Sequence, residues 1–375
     1  MDTKPIRSAW QGTMSGRERF NRQMHYQPVD RCFNMEFGYW DENFQTWPMF
    51  RENAITNNRE ADLFFSFDKI EVVSGNVWMS PPFPETIVGE TATTNIIMNA
   101  DGLLAEVPKD GHDTIPHFIK PTVITPDDWA KVKCERFRRD DPRRKVDVSE
   151  LKRIHLPDRD YPLGVDCGSM IGKIRDMLTF EGLAYACYDY PDMVEDMVET
   201  CCLLVEDFLE QVLDSFDFDF AAGWEDICYN NGPIVSVQFF RDVVVPRYKR
   251  IHNRLKKAGI DIWYIDCDGD VRPILPYFLE GGVNCLFPYE VNSCTHPTEL
   301  LKEFGEELRI MGGVDKMALG NGKESIKEYL ESAPLVERGG YIPFCDHRCP
   351  PNVDPDDYLY YLDLKEEMFG MGGSR

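Results

Sequence analysis

No stretch of this 375-residue chain approaches the roughly 20 consecutive apolar residues that a membrane-spanning helix needs. Its opening residues, MDTKPIRSAWQGTMSG, contain no apolar core of the length a secretory signal requires. The chain therefore reads as cytoplasmic, without a membrane. Positive charge is also in short supply: 41 Lys and Arg stand against 65 Asp and Glu, a net charge of −24. A surface that negative repels phosphate backbones, which argues against nucleic acid as a partner. Repeats at solenoid periods and low-complexity linkers are missing too. So is a compact cysteine framework. The twelve cysteines are scattered, and Cys187, Cys201 and Cys202 lie in helix-like apolar runs, as small buried hydrophobes of a reducing compartment do. A bridge between Cys345 and Cys349 is not expected.

What is present is a large apolar fraction, 43%, with 12% aromatic residues. That is enough core for two ordinary domains or one barrel-sized domain. From about residue 160, short runs rich in β-branched and aromatic residues alternate with helical patterns. The runs are YPLGVDCG (161–168), FDFAAGWED (218–226), IDIWYIDCDG (260–269), VNCLFPYE (283–290), LRIMGGVD (308–315) and GGYIPFCDH (339–347). Strand and helix in alternation predict a parallel sheet with crossover helices. Two earlier runs, RCFNMEFG (31–38) and LFFSFDKIEVVSG (63–75), raise the count to about eight, which closes a (β/α)₈ barrel. An open doubly wound sheet is the alternative, but the glycine-rich fingerprint after its first strand is absent. Residues 1–375 are thus expected to form one α/β domain of TIM-barrel type. Within it, 76–160 reads as an insertion of turns, short strands and a helix partly covering the mouth. DPDDYLYYLDLKEEMFG reads as a final packing helix.

Acidic or ligand-type residues close nearly every one of these strands: Glu36, Asp166, Glu225 with Asp226, Asp266 with Asp268, Glu290, Asp315, and Asp346 with His347. In barrel enzymes that end of the strands carries the active site. Turn formation and helix capping account for some of the ring, not for all of it. In IDCDGD, Asp266 and Asp268 are two apart and share one side, with Cys267 on the other. Two carboxylates held together need a proton or a cation between them, and a metal is the simpler solution. In IPFCDHRCPP, an extended chain would turn Cys345, His347 and Cys349 to one side and Asp346 and Arg348 to the other. The following proline favours that conformation at Cys349. Asp266, Asp268 and His347 together would suit zinc with one position left open, as catalytic sites have. His347 and Asp268 are the first choices for catalysis. Glu225 and Glu290 follow, as extra ligands or as groups that orient a substrate, with ordinary salt bridges as the alternative.

Five pieces in this order resemble the uroporphyrinogen decarboxylase superfamily over nearly the whole chain. They are MSGRERFNRQMHYQPVDR, GWEDICYNNGPIVSVQFF, GIDIWYIDCDGD with EGGVNCLFPYE, LRIMGGVDK, and GGYIPFCDHRCPPNV. The resemblance implies a (β/α)₈ barrel with its site at the C-terminal ends of the strands. The superfamily includes decarboxylases and cobamide-dependent methyltransferases. True porphyrinogen decarboxylases clamp their substrate with arginines after the first strand, whereas here that stretch is MEFGYWDENFQTW, without arginine. Asp68 and Ser236 match decarboxylase positions all the same. The methyltransferases carry His-x-Cys-Gly on one strand and a Cys on the last. In this chain those positions fall on Asp266, Asp268 and His347, which replaces a thiolate-rich set by an oxygen-rich one. The resemblance therefore implies transfer of a methyl group from a small methoxylated or methylamine-type donor to the cobalt of a separate corrinoid protein, with zinc assisting. No corrinoid-binding segment is visible in the chain. Tyr39, Trp40, Asp68, Trp224, Asn231 and Ser236 are the residues expected to meet the substrate. A decarboxylase or lyase of a smaller acid, with Asp68, Tyr229 or His347 in acid–base roles, is the alternative, and a non-catalytic binding barrel is a third. A homodimer is among the expected assemblies.

Overall fold

A computed structural model describes residues 3–109, 117–332 and 338–370. The runs from residue 160 onward form strands in the predicted places. Counted with those of the first half, the strands are β1 (Glu71–Val73), β2 (Thr86–Glu90), β3 (Thr94–Met98), β4 (Leu104–Pro108), β5 (His117–Lys120) and β6 (Leu163–Asp166). There follow β7 (Phe220–Trp224), β8 (Cys228–Tyr229), β9 (Gly232–Pro233), β10 (Trp263–Asp266), β11 (Cys285–Tyr289), β12 (Arg309–Val314) and β13 (Tyr341–Cys345). Seven of them make one sheet in the order β1-β6-β7-β10-β11-β12-β13, and each neighbouring pair is parallel. Helices such as Val245–Lys257, Leu275–Gly281, Pro297–Phe304 and Lys323–Ser332 cross between successive strands. This is the α/β architecture of a TIM barrel.

The two earliest runs behave differently from the prediction. In 63–75 the apolar start, LFF, belongs to the helix Asn58–Phe65, and only Glu71–Val73 joins the sheet. Residues 31–38 lie between β13 and the approach to β1 without a ladder of their own. Side chains close the gap instead. Gln23 accepts the Phe33 N–H at 2.7 Å and donates to the Tyr341 carbonyl at 2.6 Å. Glu36 accepts the Cys345 N–H at 3.2 Å, and the Asp68 N–H reaches the Asn34 carbonyl at 2.8 Å. The cost of burying Glu36 is met by the ammonium of Lys365, 2.7 Å away on the final helix Pro355–Phe369, and by the Tyr361 hydroxyl at 2.9 Å.

Inward positions alternate along the strands and fill the barrel with Phe220, Ala222, Ile262, Phe287, Met311, Ile342 and Phe344. Tyr264 stacks between Phe220 and Phe287, with ring centroids at 5.6 and 4.7 Å. Phe20 and Met24, from the helix Gly16–Met24, belong to the same cluster. A barrel packed this tightly leaves room for a ligand at its mouth only. Within 76–160, strands β2 to β5 form a separate antiparallel sheet, followed by the helix Pro126–Arg136.

Candidate active site

Two strands deliver the central groups. Into and along β10, Ile262, Tyr264 and Asp266 fall on alternate positions, with the first two in or against the barrel core. The same parity carries Asp268 to the mouth. On β7 the series Phe220, Ala222, Trp224 leads to Asp226. Ligand-type oxygens of Asp226, Asp266 and Asp268 all lie within 4.8 Å of one another. Asp226 accepts the Asp268 N–H at 2.9 Å. The imidazole of His347 arrives from the segment after β13, with Nε2 at 3.4 Å from the Asp268 carboxylate. Trp40 stacks on that imidazole at 5.6 Å and 26°, and Phe37 meets it edge-on at 5.8 Å.

Three carboxylates this close burden one another. Burial, then the charges of Asp226 and Asp268, push the Asp266 carboxyl up to about 8. Burial and Asp268 raise Asp226 as well. Among the described residues neither Asp226 nor Asp266 forms an ion pair with a Lys or Arg. The buried Oδ1 of Asp268 has no hydrogen-bond partner. An orphaned carboxylate oxygen beside two more carboxylates and an imidazole is a donor set suited to a hard or borderline divalent cation. The residues present thus fit such an ion, which Asp226, Asp266 and Asp268 would hold, with the His347 imidazole beside them.

Asp226 and Asp268 also line a cavity of about 390 Å³. Its apolar wall comes from Leu103 and Phe118 of the 76–160 segment and from Phe180 and Tyr229, whose rings meet edge-on at 4.7 Å. Arg175 faces it as well. A second cavity of about 440 Å³ is lined by Trp224, Trp78, Asn76 and Lys173.

The other predicted site residues divide. Tyr229 and Trp224 stand at the cavities, and Trp40 sits against His347. Glu290 lines the first cavity but is committed elsewhere: it pairs with Lys316 and accepts the Gly269 N–H at 3.1 Å, so it lies outside the carboxylate group. Glu225 turns away from the mouth. Fully buried, it spends both oxygens on the hydroxyls of Ser169 and Tyr248 and the N–H groups of residues 170–172. Asp68 is held by both terminal nitrogens of Arg31, at 2.6 and 2.8 Å, and is an ion-pair partner. Tyr39 is fully buried, its hydroxyl 2.7 Å from that of Tyr358, which removes it from any substrate surface. Ser236 caps the helix starting at Val237 by accepting the Phe239 N–H. Asn231 is exposed at the turn of the β8–β9 hairpin, where its neighbour Asn230 is the one lining the cavity.

The expected common face of Cys345, His347 and Cys349 does not form. The chain bends over 346–348, leaving Cys345 and Cys349 in the main core as free thiols while His347 alone enters the mouth. Asp346 is sequestered too, accepting the N–H groups of Val291 and Lys316. In the sequence Asp226 belongs to the acidic ring beside Glu225, the residue that the ring's strand-end pattern favours. The inward parity of Phe220 and Ala222 was the signal for choosing Asp226.

No curated protein matches the chain. Among solved structures it is similar to a methyltransferase from Methanosarcina mazei, with a TM-score of 0.56 and 13% identity, over 95% of this chain and 99% of that one. Likeness at that identity speaks for the fold. The family model described as uroporphyrinogen decarboxylase (URO-D) matches residues 96–367, a span that includes β10, β13, the carboxylate group and His347. The chain belongs to the uroporphyrinogen decarboxylase (URO-D) family.

Proposed function

We propose that this protein is a metal-assisted methyltransferase that moves a methyl group from a small methoxylated or methylamine-type donor to the cobalt of a corrinoid carried by a separate protein. The observation carrying the proposal is the oxygen-rich set of Asp226, Asp266, Asp268 and His347 at the barrel mouth. A divalent cation there, with zinc the first choice, would supply Lewis-acid polarisation of the donor's oxygen or nitrogen. The likeness to the Methanosarcina mazei methyltransferase supports the reaction class.

The chain's own residues have definite tasks in this reading. Phe118, Phe180 and Tyr229 wall the cavity and exclude water around an uncharged methyl group. The carbon–heteroatom bond breaks with its electron pair left on the heteroatom, which then needs a proton. His347 Nε2, beside Asp268, would be given to the cation in this reading, so the proton reaches the heteroatom from solvent at the mouth. Trp40, stacked on the ring, fixes its plane. All twelve cysteines are free, which accords with a cytoplasmic setting, and no helix among the described residues is long and apolar enough to cross a membrane.

The test is methyl transfer to free cob(I)alamin from a panel of methoxyaromatic and methylamine donors, using chelator-treated and metal-restored protein. The proposal expects activity only in the restored sample, abolished by His347→Ala with the fold intact. Release of CO₂ from a carboxylic acid without corrinoid would replace it by the carboxy-lyase reading, for which Arg175 is the cavity's cation.

A further inference from the structure

Asp226 has φ +49°, a left-handed conformation that non-glycine residues rarely adopt, so its surroundings must hold it there. Two anchors flank it. On one side Glu225, 0% exposed, receives the N–H groups of Met170, Ile171 and Gly172 at 2.8, 2.9 and 2.7 Å, the Ser169 hydroxyl at 2.9 Å, and the Tyr248 hydroxyl. On the other, the guanidinium of Arg175 donates to the backbone carbonyl of Asp226 itself. Both anchors engage one short element, the helix Gly172–Leu178 and the turn leading into it. The fit there is close, since a Cβ on Gly172 would lie 1.9 Å from the Glu225 carbonyl oxygen. The Asp226 carboxylate in turn receives the Asp268 N–H, so the aim of one carboxylate fixes the backbone of the next.

We infer that Glu225, braced by Tyr248 and working with Arg175, is the positioning residue that locks Asp226 in its left-handed conformation and so sets the geometry of the cation site. Its effect on affinity rests on the metal reading proposed above; its effect on the backbone does not. Glu225→Gln turns an amide NH₂ toward donors that a carboxylate satisfied, and the loop at 169–172 must then shift away. Groups that orient metal ligands typically change affinity 10–100-fold when altered, and about that loss is expected here.

The experiment uses the full chain after chelator treatment, with Mn²⁺ as probe ion. Mn²⁺ affinity, Tm without metal, and crystal structures are measured for Glu225→Gln, Tyr248→Phe, Asp226→Asn and the Glu225→Gln/Asp226→Asn double variant. The inference expects Glu225→Gln and Asp226→Asn each to weaken Mn²⁺ binding about 10–100-fold and the double variant to be no worse than the weaker single one. A purely structural Glu225 would lower Tm, leave affinity of the folded protein unchanged and add independently to Asp226→Asn, and that result overturns the inference. Tyr248→Phe keeps the carboxylate and carries the same comparison should Glu225→Gln fail to fold, with a smaller loss supporting and an unchanged affinity overturning. If the unaltered chain binds no Mn²⁺, the metal reading falls, and the backbone decides this inference. Asp226 leaving the left-handed region in the variant crystals supports it, and an unmoved Asp226 overturns it.

Discussion

Lys365→Met probes how the barrel is closed. Lys365 and Glu36 are 0% and 2% exposed, with Nζ 2.7 Å from the carboxylate and 2.8 Å from the Met35 carbonyl. Removing the ammonium leaves Glu36 with only the Tyr361 hydroxyl and the Cys345 N–H, two neutral donors for a buried charge. Breaking such a pair from one side costs about 3–5 kcal/mol, because the remaining charge is stranded rather than because the pair itself is strong. Methionine keeps an apolar stem of similar length, so the main loss is that of the ammonium, which also lies 5.9 and 6.0 Å from the Trp10 and Phe67 ring centroids. Urea unfolding followed by tryptophan fluorescence should show the loss as a lower midpoint with an unchanged slope. Glu36→Gln/Lys365→Met should recover about half of it or more, since the glutamine oxygen still accepts the Cys345 N–H, its NH₂ donates to the Tyr361 hydroxyl oxygen, and no charge is left behind. A loss below about 1 kcal/mol for Lys365→Met would refute the claim that side chains, not a strand ladder, seal the gap between β13 and β1.

Three further outcomes are expected. Gly172→Ala should cost about 1–3 kcal/mol in the same assay, because its Cβ would press on the Glu225 backbone at 1.9 Å; a neutral result would contradict that contact. The metal-free chain should be most at odds with itself at high pH. Asp266 holds its proton to about 8 when folded but only to about 3.9 when unfolded, so the stability it contributes is complete below about 4 and declines as pH rises toward 8. His155, His252 and His296, lowered by burial, pull the other way near pH 6.5, so the measurement is the difference between the chain and Asp266→Asn. That difference should grow in favour of the asparagine by up to about 1.4 kcal/mol per pH unit between pH 5 and 8, and a constant difference would contradict it. Trp40→Ala frees one face of the His347 ring, and should weaken Mn²⁺ binding less than His347→Ala does, as calorimetric titration would show.

The strands from residue 160 onward were legible because each is a short β-branched or aromatic run ended by glycine or by an acid, and local pattern decides such elements. Residues 31–38 carry the same pattern without forming a ladder, since their hydrogen bonds go to Gln23, Asp68 and Cys345, partners that periodicity does not register. Asp266 and Asp268 were readable from the period of two on one strand, and His347 from its place after the last one. Asp226 was harder to see because its left-handed backbone follows from contacts with residues 169–175, some fifty positions earlier, about as far as a crossover connection separates neighbouring strands. The same long-range contacts made Glu225 look like a mouth residue in one dimension and a buried brace in three. For Asp68, Tyr39 and Ser236 the residue type suited a substrate site, but Arg31, Tyr358 and a helix end had already claimed them.

Asp226, Asp266, Asp268 and His347 are proposed to hold a divalent cation together at the barrel mouth. Titration of Mn²⁺ into the chelator-treated full chain, followed by electron paramagnetic resonance, tests it directly alongside Asp226→Asn, Asp268→Asn, His347→Ala and Glu290→Gln. The account predicts one tight Mn²⁺ per chain, weakened at least about tenfold by each of the first three substitutions and little changed by Glu290→Gln, whose carboxylate is already neutralised by Lys316. Binding that is absent, that ignores Asp226 and Asp268, or that depends on Glu290 instead would contradict it.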